Sequence, residues 1–425
     1  MKAVKKGWYH GWNIVIAASI ISLITTGIRM SIGPFFLPIL NDFEMSRTTL
    51  SMIVSVGMFT FGIGMPLAGM MESRFGPKVV LFIGVFMNLV ATIWMVTTQT
   101  ILGLFLSFGI FISIGLALAS QVTLTPTITR WFVRKRGQAL FYLSTGGMAG
   151  IAIMNPVSNQ LIAMFDWKVT MLMFAIGLVI LVIPLIVFVI HTNVPENADQ
   201  LQEDLAKEVK KTESVEIDKA FSLRESLQTS TFWYICIGLF ACGFSMNLIG
   251  SHGVPMLVDH GFSSVTASNA IGVIGLVAIP GTIIMAIFSD KVSKKGLLAL
   301  IYITRGVGII CLVWVMVTYQ LYLVALVAGV AWAGNTALSS AILSNVYGVR
   351  LVGVLYGFAF FVHQIGATIS TFLGGWAYDK FNTHLVAFLS AGIILFIAGV
   401  FSLRVIESHV EFKDRKMPVA SKVSG

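Results

Sequence analysis

Residues 192–229 read TNVPENADQLQEDLAKEVKKTESVEIDKAFSLRESLQT, the longest polar stretch in the chain. It holds nine acids and five bases, among them Glu203, Asp204, Lys207, Glu208, Lys210 and Lys211, and reads as an amphipathic, partly helical linker. On both sides of it the chain is a series of apolar blocks. Six precede it, at about 13–40, 47–71, 77–97, 100–130, 137–165 and 167–190, and six follow, at about 230–258, 263–289, 296–318, 320–346, 350–378 and 384–406. Each is long enough to cross about 30 Å of hydrocarbon as a helix. The reading is an all-α membrane protein with twelve transmembrane helices in two six-helix bundles. Residues 1–191 form the first bundle, 192–229 the cytoplasmic linker, and 230–425 the second bundle with a short cytoplasmic tail.

Composition agrees. Of 425 residues 56% are hydrophobic and 11% charged, whereas soluble domains carry roughly 25% charged residues. A soluble enzyme or binding domain is excluded. All 19 acids fall at the ends of apolar blocks or in the gaps between them. The net charge of +9 does not point to nucleic acid, because the bases crowd into short gaps as the positive-inside rule requires. With both termini inside, 23 of 28 basic residues fall on the cytoplasmic side, including Arg74, Lys78, the cluster Arg130, Arg134, Lys135 and Arg136, and Lys291, Lys294 and Lys295. Cys236, Cys242 and Cys311 lie in apolar blocks and imply no disulfide framework. Lys2, Lys5 and Lys6 precede a long apolar stretch without a small-residue cleavage site, which reads as a retained first span.

The two halves repeat at an offset of about 217 residues. Pro38-Ile39-Leu40-Asn41-Asp42 with Ser46 matches Pro255-Met256-Leu257-Val258-Asp259 with Ser263, and Ser73-Arg74 with Lys78 matches Asp290-Lys291 with Lys295. One residue of slippage later, Gly137 and Gly150 fall opposite Gly353 and Gly366. A long internal repeat is harder to obtain by accident than a single motif.

The loop Gly69-Met70-Met71-Glu72-Ser73-Arg74-Phe75-Gly76-Pro77-Lys78 resembles the loop signature of the major facilitator superfamily, with Ser73 where an Asp is usual. The second copy keeps that acid as Asp290, followed by Lys291. A narrower resemblance runs through WFVRKRGQALFYLSTGGMAG, residues 131–150, which is similar to the fifth-span signature of monocarboxylate porters, as the Gly7-Trp8-Tyr9-His10-Gly11-Trp12 approach is to their entry. The resemblance implies a secondary transporter of a small organic anion working by alternating access, with substrate near the midplane between repeats. Members of that family and the related oxalate/formate exchangers move small organic anions, with a proton or by exchange, and the resemblance implies either mode here. It also implies a chain that can function as a monomer; no cofactor is expected, the expected partners are a small anion, protons and the bilayer, and the absence of an organelle-directing extension points to the cell membrane. One departure stands out: the family's Arg before the Pro of the eighth span is here Ile279, before Pro280.

Which residues would meet an anion follows from depth. Arg29 is 17 residues from Trp12 and 13 from Asp42, roughly 20 Å from either end of its span. It is either a fixed cation for a substrate carboxylate, bound bidentately, or an Arg held by carbonyls near Gly33-Pro34 and Pro38. Arg305, about nine residues into the ninth span, is again deep; substrate contact and a structural or gating role are both open. His363, at mid-membrane, titrates near neutrality and is the candidate for proton coupling, against a packed histidine. His252 reads as packed. Gln121, Tyr142, Asn247 and Asn335 complete the substrate set, each with interhelical hydrogen bonding as the alternative; Thr125 and Asn155 are further polar candidates. Gly69, Arg74, Gly76, Lys78, Asp290 and Lys291 form the conformational loop motif. A larger amphipathic or aromatic substrate is the alternative function. An enzyme is not expected, since there is no phosphate-binding glycine loop beside a strand and no metal-spaced His/Cys cluster. A receptor would need a signalling domain that the tails and a 38-residue linker do not supply.

Overall fold

A span surrounded by lipid must satisfy its backbone internally, so apolar blocks of this length become helices. The computed structural model describes residues 9–132, 135–191, 222–289, 292–332 and 334–407. Among them, twelve helices are long and apolar enough to cross a membrane: His10–Met30, Arg47–Phe75, Pro77–Thr97, Ile101–Trp131, Gln138–Phe165, Trp167–Val189, Ser230–Asp259, Ser264–Met285, Lys294–Val313, Thr318–Tyr347, Leu351–Phe381 and Leu385–Ser402. Six of these helices precede the linker and six follow it. Most of the linker lies outside the described residues. Its end forms the short helix Leu223–Leu227, opened by Ser222 and Glu225 in a reciprocal capping box.

Many hydroxyls inside the spans are satisfied by their own helix. Thr25 donates to Ile21 O, Thr125 to Gln121 O, Ser251 to Asn247 O and Thr282 to Ala278 O, each one turn back. Large apolar side chains such as Phe86, Met70, Ile180 and Phe188 stay exposed, as suits helices whose outer faces meet acyl chains.

The described chain gathers into two compact units: Met1–Ser46, Val56–Glu216 and Ser263–Gly272 in the first; Arg47–Ser55, Ile217–Phe262 and Val273–Gly425 in the second. This differs from a cut at the linker, because the opening turns of the second and eighth spans change sides. Those two segments are equivalent positions of the repeat.

Within each unit the same contact recurs. In the first, Gly146 and Gly150 press against the carbonyls of Ser19 and Leu23, so closely that a Cβ would collide with them. In the second, Gly366 meets Phe240 O and Gly243 meets His363 O. Leu23 with Gly150 and Phe240 with Gly366 are repeat partners, so the internal repeat is one of packing as well as sequence. Small residues allow this backbone approach, which supplies dispersion contacts where the hydrophobic effect between helices is absent.

Several blocks that read as continuous are interrupted. The first divides at Ser31 into His10–Met30 and Ile32–Asp42. The fourth contains a π-helical stretch, Phe105–Ile112, and breaks after Leu118; the tenth is interrupted after Val330. Proline explains the first case: Pro34 cannot donate to Met30 O, and that carbonyl accepts from Asn155 Nδ2 at 3.5 Å. Asn155 Nδ2 also donates to Ile151 O of its own helix at 3.2 Å.

Candidate functional site

Arg29 lies in the last turn of helix His10–Met30. The negative end of the helix dipole there favours a cation at mid-membrane. Its guanidinium sits 4.2 Å from the centre of the Phe61 ring, and the residue is half-buried. Ser22, Thr26 and Arg29, spaced by four and three residues, share one face of the helix. Gln121 Nε2 donates to Ser22 Oγ at 2.7 Å. Gly147 makes room beside this pair, since a Cβ there would lie 3.0 Å from Gln121 Nε2 and 3.4 Å from the Thr26 hydroxyl. The first unit thus presents a guanidinium, two hydroxyls and an amide on or beside one helix face. Tyr142 is 51% exposed and its ring stands edge-on to Trp12 at 5.9 Å. Its backbone oxygen, not its phenol, accepts from Ser19.

In the second unit Arg305 and Asn335 come together, both completely buried. Arg305 lies over the Trp332 ring at 4.2 Å and donates from Nη1 to Cys242 Sγ at 3.4 Å. Tyr302, one turn before Arg305, faces the amide of Asn335 and the hydroxyl of Ser339. Neither Tyr302 nor Ser339 stood out in the sequence. Their signal is periodicity: Tyr302 and Arg305 are three apart, Asn335 and Ser339 four, which puts each pair on one helix face.

His363 is buried and stacks on Phe360 at 4.7 Å with the rings 9° from parallel. Asn247 donates to Gly243 O at 2.9 Å within its own span. His252 Nε2 is 2.8 Å from Thr371 O and 3.3 Å from the Ser51 hydroxyl, a packed histidine.

The loop motif divides into parts with separate jobs. Gly76 opens Pro77–Thr97 with φ +79°, a left-handed conformation that glycine adopts without strain. Lys78 Nζ donates to Val187 O at 3.2 Å, and Arg74 lies 5.3 Å over Phe75. At Gly69 the nearest neighbour to a Cβ would be Val122, 3.9 Å away, an ordinary contact. Ser73 donates to Met70 O in its own helix, whereas Glu72, one residue before it, is buried and pairs with Arg130 at 3.2 Å. Asp290 and Lys291 lie outside the described residues.

Two charge clusters escaped the sequence reading. Asp259, ending the seventh span, takes both Arg47 guanidinium nitrogens at 2.6 and 3.0 Å and His384 Nε2 at 2.7 Å. Arg47 also covers the Tyr378 ring at 3.7 Å, and Thr48 N–H donates to Asp379 at 2.6 Å. Burial holds His384 below its ordinary basicity, against the opposing pull of the Asp259 carboxylate. Glu407 caps the helix Lys294–Val313, accepting from Ser293 Oγ at 2.6 Å, Lys295 N–H at 2.9 Å and Lys294 N–H at 3.2 Å. Burial works against its charge, but these hydrogen bonds outweigh it and hold the carboxyl below the usual range.

Comparison with known proteins agrees with twelve spans in two repeats. The Major Facilitator Superfamily pattern matches residues 18–371 and 235–422. The chain belongs to the major facilitator superfamily, a class of transporters. It is 25% identical over 392 residues to the MFS-type transporter YcxA of Bacillus subtilis, covering 91% of this chain and 92% of that one. It is 23% identical to monocarboxylate transporter 13 of Bos taurus, over 92% of this chain and 88% of the other. To the oxalate:formate antiporter of Oxalobacter formigenes it is 23% identical, over 91% of each. Among solved structures, a D-xylose-proton symporter superposes with a TM-score of 0.71 at 15% identity, over 94% of this chain and 99% of that one. The protein is a membrane-spanning secondary transporter working by alternating access, not an enzyme.

Proposed function

We propose that this facilitator carries a small organic anion of monocarboxylate type, and that Arg29 is the cation that receives its carboxylate. The observation that carries the reading is the face formed by Ser22, Thr26 and Arg29 with Gln121 beside it: a cation at mid-membrane accompanied by neutral hydrogen-bonding groups. A charge at that depth costs a few kcal/mol or more and so marks a pathway or a partner. A planar guanidinium suits a carboxylate bidentately. Monocarboxylate transporter 13 and the oxalate:formate antiporter, both similar along most of this chain, support the same substrate class.

Within this reading Gln121 hydrogen-bonds the polar end of the substrate, Tyr142 and Asn247 are further contacts, and His363 carries the proton if transport is symport. Gly69, Arg74, Gly76 and Lys78, with Asp290 and Lys291 in the second copy, form the loops that move between conformations. Both termini are cytoplasmic in a cell-membrane placement, supported by the 23 of 28 bases that then lie inside. A larger aromatic acid is the second reading, favoured by Phe61 stacked against Arg29.

The test is uptake of radiolabelled lactate, pyruvate, oxalate and benzoate into proteoliposomes, with and without an inward proton gradient. Uptake stimulated by the gradient indicates symport, and uptake only against internal substrate indicates exchange. Preference for benzoate favours the second reading. Absence of all uptake by folded, oriented protein rejects both.

A further inference from the structure

The face around Arg29 leaves the cluster at Arg305 unused. That cluster is closed: Arg305, Tyr302, Asn335, Ser339 and Cys242 have no accessible surface, and Trp332 has 3%. We propose that it is a second anion site, holding one monovalent inorganic anion of halide size, chloride being the abundant example, inside the second unit.

A guanidinium is a cation with donors and no acceptor, and a buried cation needs an opposite charge or a full set of acceptors. The observed contacts of Arg305 are the Trp332 ring and a weakly accepting sulfur, and its Nε and Nη2 make no hydrogen bond to protein. The acids described in this unit stand elsewhere: Asp259 and Asp379 at span ends, engaged with Arg47, His384 and Thr48, Glu225 in the capping box of the short helix Leu223–Leu227, and Glu407 on the helix cap.

The neighbours argue for an anion over a water chain or a metal. Tyr302 Oη, both amide atoms of Asn335 and Ser339 Oγ are buried beside Arg305, the Tyr302 hydroxyl turned toward the Asn335 amide and the Ser339 hydroxyl, which leaves the amide and hydroxyl hydrogens of this group short of acceptors. With the guanidinium they form a set rich in donors, one turn of each of two spans facing the other. A metal would require carboxylate, imidazole or thiolate acceptors, and none is grouped among the described residues. One fixed positive charge balances one monovalent ion.

Enclosure argues for a small ion over a substrate carboxylate. Gly238 presses on Tyr302, where a Cβ would lie 2.6 Å from the hydroxyl, and Gly334 on Ile301, where it would lie 2.9 Å from Cδ1. With no accessible surface at Arg305, Tyr302, Asn335 or Ser339, an organic tail would have no way out to solvent. Nor does the fold demand the charge, because the repeat counterpart of Arg305 in the third span is the neutral Asn88, also buried. The site is independent of the Arg29 reading.

Thermal unfolding of the purified full chain in detergent tests it, with potassium gluconate exchanged for chloride, bromide, nitrate or sulfate at constant ionic strength. Chloride, bromide and nitrate are expected to raise Tm saturably, by about 3 °C or more when well above the dissociation constant, and sulfate is expected not to. Arg305→Met should remove the ion-specific rise. If that variant does not fold, Asn335→Ala should weaken the midpoint several-fold, and bromide-soaked crystals of the wild type should give an anomalous peak beside Arg305. An equal response to all anions, an unchanged response in the variants, or no peak overturns the proposal. A Tm rise with organic acids but not halides, lost in Arg305→Met, also overturns it and moves Arg305 to the substrate site. Failure of organic-acid uptake would leave the halide shift unaffected, so the two readings fail separately.

Discussion

Arg29 and Arg305 were legible in the sequence for the same reason, a charge far from either end of an apolar block. Their difference was not. Arg29 sits half-buried at a helix end beside Phe61, whereas Arg305 is sealed among Tyr302, Asn335 and Ser339; hydropathy measures depth, not which face a residue shares. The cluster at Asp259 was illegible because Arg47, Asp259 and His384 lie far apart in sequence, each at an ordinary span end. It yields a stability prediction. Asp259→Ala leaves Arg47 and His384 without their shared acceptor and should cost about 1–3 kcal/mol, more than His384→Ala, which keeps the two Arg47 bonds; thermal denaturation in detergent compares them. The lowered pKa of His384 sets the pH sense. A histidine less basic when folded contributes fully above its ordinary value of 6.5 and loses that contribution as pH falls through and below it. Wild-type Tm should therefore drop below about pH 6.5 more steeply than that of His384→Gln.

At the scale of elements, the existence of twelve spans followed from block length alone, and their interruptions did not. The length of the block 13–40 does not mark Ser31; Pro34 was readable in the sequence, but Asn155, which arrives from another span, was not. Glycine contacts were readable as small-residue spacing, but only the structure separates those that carry packing from those that do not. Gly150→Leu and Gly366→Leu should each abolish folded yield, measured by size-exclusion chromatography, since each side chain would strike a carbonyl of the neighbouring helix. Gly69→Ala should be tolerated. Gly76→Ala should cost about 1–2 kcal/mol for the left-handed conformation. Glu407→Gln should loosen the start of the ninth span by on the order of 1 kcal/mol. Because the Glu407 carboxyl is held below its ordinary 4.5, its contribution is present above that pH and lost as pH falls through its folded value.

For the whole molecule, the internal repeat was the most informative feature of the sequence, and it recurs as paired contacts, Leu23 with Gly150 and Phe240 with Gly366. The repeat defines a transporter; it does not define what is carried. That rests on asymmetry between the copies, because the fixed cation of the first span, Arg29, has Met246 as its counterpart in the seventh. The central claim is that Arg29 receives a carboxylate, and the direct measurement is initial uptake of the preferred organic acid by proteoliposomes holding wild-type, Arg29→Lys or Arg29→Ala protein at matched density. The account predicts that Arg29→Ala loses at least about 30-fold, the lower end of the 2–5 kcal/mol expected when a buried charge pair loses one partner, and that Arg29→Lys retains partial transport with a raised KM. Undiminished uptake by Arg29→Ala, with the protein folded and oriented as wild type, would contradict it.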